Sequence, residues 1–149
     1  MLLYLFDQAK SDAQRNLLYL PLAQSFLKRN EFINASDYAS RYLKKYPRGQ
    51  DSGALFGVLL DAFEKQDRNE ELLAWLGRKN RPSSPELEVR AAWIYWNLER
   101  FKDVAKSLEK ARQDGGELAV KEMALLAETY YRLAKNRAAE KIYQQLVDD

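Results

Sequence analysis

The sequence contains no cysteine and no histidine among its 149 residues. The first absence excludes disulfides and a thiolate nucleophile, and the second excludes an imidazole general base. Without thiolate or imidazole ligands, the usual zinc and transition-metal sites cannot form. Carboxylate, lysine, tyrosine and serine chemistry remains open, so these absences disfavour an enzyme without excluding one. We expect a non-catalytic protein with no metal and no other cofactor.

An excess of charge of either sign is also missing, because 24 Lys and Arg oppose 22 Asp and Glu for a net charge of +2. Nucleic-acid-binding proteins usually carry a basic stripe or a larger positive excess, so no nucleic acid partner is expected. No apolar stretch approaches the ~20 residues of a membrane span. The opening MLLYLF run is too short for the core of a signal peptide and reaches Asp7 at once. Direct membrane insertion is therefore not expected.

Glycine and proline are scarce, at 6 and 4 residues, and most of them fall in three breaker clusters. Pro47, Pro82 and Gly116 mark these clusters at intervals of 35 and 34 residues. Proline lacks an N–H group and glycine tolerates left-handed backbone, so both interrupt helices. The hydrophobic fraction of 46% is ordinary for a folded protein and provides a core. The even spacing predicts a helical repeat of about 35 residues.

The apolar pattern repeats with the same period. In each of four segments a small residue is followed three positions later by a large apolar one, and the small residues are 34, 35 and 35 positions apart. The four pairs are Ala23/Phe26, Gly57/Leu60, Ala92/Tyr95 and Ala127/Tyr130. In three units a second small or β-branched residue follows twelve positions later, at Ala35, Val104 and Ala139. Short polar connections then predict antiparallel neighbouring helices.

The second unit matches this pattern least well. Its pattern predicts one or two additional residues between Gln66 and Asn69, before Leu72, so the register of its second helix is open. Pro21 conflicts with the first helix of the first unit, because proline removes a donor and clashes with the preceding turn. We expect either a kink or a helix that begins near Pro21.

These residues resemble the tetratricopeptide repeat (TPR) family, whose period is about 34 residues and whose signature is W-x₂-L-G-x₂-Y…A-x₃-F…P. The first unit reads Tyr19-x₂-Leu22-Ala23-x₂-Phe26…Ala35…Pro47, and the fourth reads Met123-x₂-Leu126-Ala127-x₂-Tyr130…Ala139-x₃-Tyr143. The resemblance covers nearly the whole chain. It implies an all-α fold, a right-handed α-α superhelix (a TPR solenoid) of about four helix-turn-helix repeats.

The predicted repeats are residues 16–47, 51–82, 85–116 and 120–149 of a single solenoid, 1–149. Residues 1–10 are predicted to be the second helix of a truncated repeat. We interpret the chain as a segment of a longer array, the alternative being a complete small protein with an ordinary first helix.

A TPR solenoid would use its concave groove, lined by the first helix of each pair. The predicted groove positions lie one place after each small residue and again three places beyond. They are Gln24, Leu27, Lys28, Val58, Asp61, Ala62, Trp93, Trp96, Asn97, Glu128, Tyr131 and Arg132, with Arg90 as a further basic candidate. Exposed aromatic rings mark contact sites, and tryptophan, tyrosine and arginine are enriched at interface hot spots. The alternative is that the tryptophan rings pack between adjacent repeats.

We therefore expect a protein–protein interaction scaffold with a protein or peptide partner in this groove. The positions that chaperone-tail-binding TPR domains fill with lysine and asparagine hold Leu20, Gln24, Ala54 and Val58, so chaperone tails are not expected partners. The run 41–47 resembles bacterial envelope TPR proteins, including those of outer-membrane assembly and exopolysaccharide export. The alternative function is thus a periplasmic export module, part of a larger protein, that contacts polysaccharide or a modifying enzyme. An enzymatic role would require catalytic groups from a neighbouring domain.

Overall fold

The computed structural model describes residues 1–148, and every secondary-structure element within them is a helix. The final position of the fourth predicted repeat, Asp149, lies outside the described residues. The helices are α1 (Leu2–Gln8), α2 (Asp12–Asn16), α3 (Tyr19–Lys28), α4 (Phe32–Lys45), α5 (Ser52–Lys65), α6 (Asn69–Leu76), α7 (Pro85–Asn97), α8 (Phe101–Gln113), α9 (Val120–Arg132) and α10 (Asn136–Asp148).

The helices pack as sequential antiparallel pairs, α3 with α4, α5 with α6, α7 with α8 and α9 with α10. The prediction of an all-helical protein with paired antiparallel helices is confirmed. The chain forms two compact units, unit 1 (Met1–Pro82) and unit 2, which begins at Ser83. Among residues 1–148, no helix combines the length and the apolar character that crossing a membrane requires.

The two helices of every pair are joined by a turn of the same geometry. One residue in each turn has a left-handed backbone: Asn30, Asp67, Glu99 and Ala134, with φ between 53° and 61°. The N–H of the following residue donates to a carbonyl five positions back, at 2.8–3.1 Å. That carbonyl belongs to an aromatic residue in all four turns: Phe26, Phe63, Tyr95 and Tyr130. This is the Schellman arrangement, which satisfies the last carbonyls of a helix and reverses the chain.

The turns correct the register of the second unit. In α3, α7 and α9 a fully buried alanine lies three positions before the aromatic residue whose carbonyl accepts the turn hydrogen bond. In α5 the aromatic residue whose carbonyl accepts the turn hydrogen bond is Phe63. The residue three positions before it is Leu60, and Gly57 lies one turn earlier. Leu72 then falls twelve positions after Leu60 and is 1% exposed, as Ala35, Val104 and Ala139 are buried in the other units. The additional residues of the second unit therefore precede Phe63, and do not lie near Gln66–Asn69 as predicted.

The first turn of α3 accommodates Pro21 without a kink. The helix begins at Tyr19, so Pro21 is its third residue, where an N–H would have no intrahelical partner. The expectation of a helix that begins near Pro21 is confirmed. The chain before it forms the short helix α2, whose start is capped by the Ser11 hydroxyl, which accepts from the Gln14 N–H at 3.3 Å.

In unit 2, α8 and α9 are also tied by a polar contact. The Tyr130 hydroxyl donates to the Glu109 carboxylate. Burial, followed by this hydrogen bond, raises the pKa of Tyr130 well above its ordinary value. Gly116 lies so close to Pro85 that a Cβ added there would be 2.6 Å from the Pro85 Cβ. The loop that follows α8 is thereby held against the start of α7.

Candidate functional site

A half-exposed arginine lies on two aromatic rings in unit 2. The Arg132 guanidinium carbon is 5.1 Å from the centre of the Trp96 ring and 5.2 Å from the centre of the Phe101 ring. The two rings contact each other edge to face, with centres 5.3 Å apart. Cation–π contacts of this kind attract the guanidinium and restrict its side-chain rotamers. We refer to Trp96, Phe101, Glu128, Arg132 and Tyr143 as the Arg132 cluster.

The Schellman turn at Glu99 brings the two rings together. Trp96 lies in the last turn of α7 and Phe101 is the first residue of α8, so the reversal of the chain places them side by side. Arg132 is the last residue of α9. A cation at a helix C-terminus is favourable because it complements the helix dipole. The turn therefore places the two rings, and the packing of α9 brings Arg132 to them.

Glu128 holds the arginine from the other side. Its Oε1 accepts from the Arg132 Nε at 3.3 Å, and its Oε2 accepts from the Tyr143 hydroxyl at 3.3 Å. Partial burial, followed by the charge of Glu128, raises the pKa of Tyr143. Within residues 1–148 the guanidinium makes no other hydrogen bond or ion pair. Its two terminal amino groups are therefore available to a ligand.

The predicted groove residues differ widely in exposure. Five are exposed, namely Gln24, Lys28, Asn97, Tyr131 and Arg132. Six are half-buried, namely Leu27, Asp61, Arg90, Trp93, Trp96 and Glu128. Val58 and Ala62 are buried, because the register of α5 differs by one turn from the one assumed. Arg132 contacts both Trp96 and Glu128 through its side chain.

Two of the three tryptophans, Trp93 and Trp96, are neither core residues nor fully exposed surface residues. Trp93 and Trp96 are half-buried, whereas Trp75, the third tryptophan, is 9% exposed and belongs to the core of unit 1. Tyr131, beside Arg132 in the sequence, is 63% exposed. The Trp96 ring is in contact with the Arg132 guanidinium. Unit 2 thus presents aromatic area and a positioned cation on one surface.

Sequence reasoning missed two members of the cluster. Phe101 was not considered, although Phe32 holds the equivalent first position of α4, directly after the matching turn. Tyr143 was assigned to the apolar pattern of the last helix, but it is 41% exposed and its hydroxyl binds Glu128. The sequence feature that could have identified Phe101 is an aromatic residue immediately after a predicted turn. No sequence feature identifies Tyr143 as a member of the cluster, because helical periodicity does not show contacts between helices.

The cluster offers cation, carboxylate, hydroxyl and aromatic groups that a ligand can contact together. A search of residues 1–148 finds no group of three or more carboxylates that could hold a metal ion. Comparison of the chain with protein families, with curated proteins and with solved structures found no match.

Proposed function

We propose that this chain is a non-catalytic protein-interaction module of the TPR type, a right-handed α-α superhelix that binds a protein or peptide segment. Support comes from four helix pairs that share one turn geometry and from the small residues buried at equivalent places in three of them. Stacked helix pairs of this kind expose a continuous face of first helices. A crystal structure would test the superhelix directly, and a left-handed or non-stacked arrangement would contradict it.

The Arg132 cluster is the observation that carries the binding role. Tryptophan, tyrosine and arginine dominate interface hot spots because they combine apolar contact area with specific polar groups. Arg132 is already held by two rings and by Glu128, so a partner would immobilise little additional side-chain freedom. The cluster also neutralises its own charge through Glu128, which favours contact with a mixed polar and apolar segment over a purely acidic one.

The test begins with selection of peptides from a random phage-displayed library on the immobilised chain. Synthetic versions of the selected peptides are then titrated by fluorescence anisotropy. Arg132→Ala should weaken binding by about tenfold or more, as expected when a charge-assisted contact is lost. Arg100→Ala is the matched control, because Arg100 is 53% exposed and pairs with Asp103 at 3.1 Å outside the cluster. This control should bind as the unmodified chain does.

A second variant tests the aromatic part of the surface. Trp93→Ala combined with Trp96→Ala should abolish peptide binding while the helical circular dichroism signal is retained. If the double variant unfolds, these rings are core residues and the cluster has no binding role. The proposal also fails if no selected peptide binds saturably, or if Arg132→Ala and Arg100→Ala bind equally well.

A further inference from the structure

Unit 1 contains a polar cleft with a volume of about 430 Å³. Small-molecule sites typically measure about 300–1,000 Å³. The cleft lies among α1, α2, α3 and α4, and Phe6 and Tyr19 contribute to its wall. Its remaining lining residues are all polar: Asp7, Asp12, Arg15, Asn16, Arg41 and Lys45. This composition is suited to a hydrophilic ligand.

The cations of the cleft are held in place by contacts within unit 1. The Arg41 guanidinium carbon is 4.7 Å from the centre of the Tyr38 ring and 5.6 Å from the centre of the Phe6 ring. Lys45 pairs with Asp12 at 3.2 Å, and Arg15 lies 3.9 Å from the same carboxylate. Such positioned cations bind an oxyanion at a lower entropic cost than flexible ones do.

The charges of the lining residues limit the charge of a ligand that the cleft can bind. Three cations face two carboxylates, Asp7 and Asp12, for a net charge of +1. Asp37 also lies 4.0 Å from Arg41, but it does not line the cleft. The two lining carboxylates weaken the attraction of the cleft for each additional negative charge of a polyanion. A ligand with one negative charge and several hydroxyl groups could instead donate to Asp7 and to the Asn16 carbonyl.

We propose that this cleft binds a small monoanion that carries several hydroxyl groups, of the class of uronic acids. Its carboxylate would bind at Arg41 and Lys45, where a guanidinium and an ammonium can both donate. Its hydroxyl groups would bind at Asp7 and Asn16. The cleft shares no residue with the Arg132 cluster, so the test of this proposal is independent of the proposed function.

The test is a two-dimensional NMR titration of the full chain with sodium glucuronate, with glucose and sodium sulfate as parallel ligands. Glucuronate should shift backbone and arginine side-chain signals of the cleft saturably, with a dissociation constant of about a millimolar. Glucose lacks the charge and sulfate lacks the hydroxyl groups, so both should bind at least about tenfold more weakly. Equal shifts from sulfate would show a non-selective anion site and would overturn the proposal.

Two variants locate the site. Arg41→Gln and Lys45→Gln should each weaken glucuronate binding by about tenfold. Lys45→Gln keeps the proposal testable if Arg41→Gln disturbs the packing of α1, because the Lys45 ammonium pairs with Asp12 and lies over the Tyr46 ring, whereas Arg41 lies over the Phe6 ring of α1. Arg132→Gln in unit 2 is the control and should bind glucuronate unchanged. Binding that is unaffected by Lys45→Gln, or an absence of saturable shifts in the cleft, would refute the assignment.

Discussion

An enclosed cluster of aromatic rings in unit 1 contrasts with the half-exposed rings of the Arg132 cluster in unit 2. In unit 1, Phe6, Tyr19 and Tyr42 are only 4%, 8% and 5% exposed, and their rings meet one another edge to face at 4.9–5.6 Å. In unit 2, Trp96 is half-buried and is covered by a charged side chain that is itself 47% exposed. Enclosed ring pairs stabilise a fold, whereas half-exposed rings remain able to contact a partner. Aromatic content alone therefore does not mark a binding surface.

The largest effect is expected from breaking the enclosed cluster with Tyr19→Ala. The Tyr19 ring contacts rings on α1 and α4, so its removal leaves a cavity between three helices. The free energy of unfolding should fall by about 3–5 kcal/mol. Urea denaturation followed by circular dichroism measures it. Tyr4→Ala is the control, because Tyr4 is 64% exposed and its loss should cost no more than about 0.5 kcal/mol.

A smaller loss of stability is expected from Trp96→Ala in unit 2. Trp96 is more exposed than Tyr19, and its contact with Arg132 is partly solvated. The free energy of unfolding should fall by about 1–2 kcal/mol, measured in the same way. A loss as large as that of Tyr19→Ala would place Trp96 in the core, and the contrast between the two units would disappear.

The sequence predicted the helix pairs because their signals are local. Small residues at Ala23, Ala92 and Ala127 and the breaker clusters recur at nearly constant spacing, and each acts on its own helix. The register of α5 was predicted wrongly because Gly57 is a small residue at the spacing of those alanines. The residue equivalent to the alanines is Leu60, which is large. The turn at Asp67 determines that Leu60 is the equivalent residue. Apolar periodicity does not show the geometry of that turn.

The binding cluster was predicted only in part, for a related physical reason. Periodicity placed Trp96, Glu128 and Arg132 on exposed faces of first helices. It could not show that Arg132 lies on the ring of Phe101, since that contact depends on how α9 packs against the pair formed by α7 and α8. Contacts between helices follow from packing, and packing is not contained in the pattern of any single helix.

The turns also differ between the units. The left-handed positions of unit 1 are occupied by Asn30 and Asp67, whose short polar side chains tolerate this conformation. Those of unit 2 are occupied by Glu99 and Ala134, for which left-handed backbone costs about 1–2 kcal/mol. All four side chains are exposed, so none is retained there for packing. Unit 2 thus contains two strained turns, one of which positions the rings of the Arg132 cluster.

This contrast predicts the smallest effect, a gain in stability from glycine. Ala134→Gly should raise the free energy of unfolding by about 0.5–1 kcal/mol, because relief of strain exceeds the added flexibility of the unfolded chain. Asn30→Gly should change it by less than about 0.5 kcal/mol. Ala74→Gly, at an exposed position within α6, should instead destabilise by about 1 kcal/mol. Thermal unfolding of the three variants tests the order. A loss of stability in Ala134→Gly would mean that the turn of unit 2 is not strained.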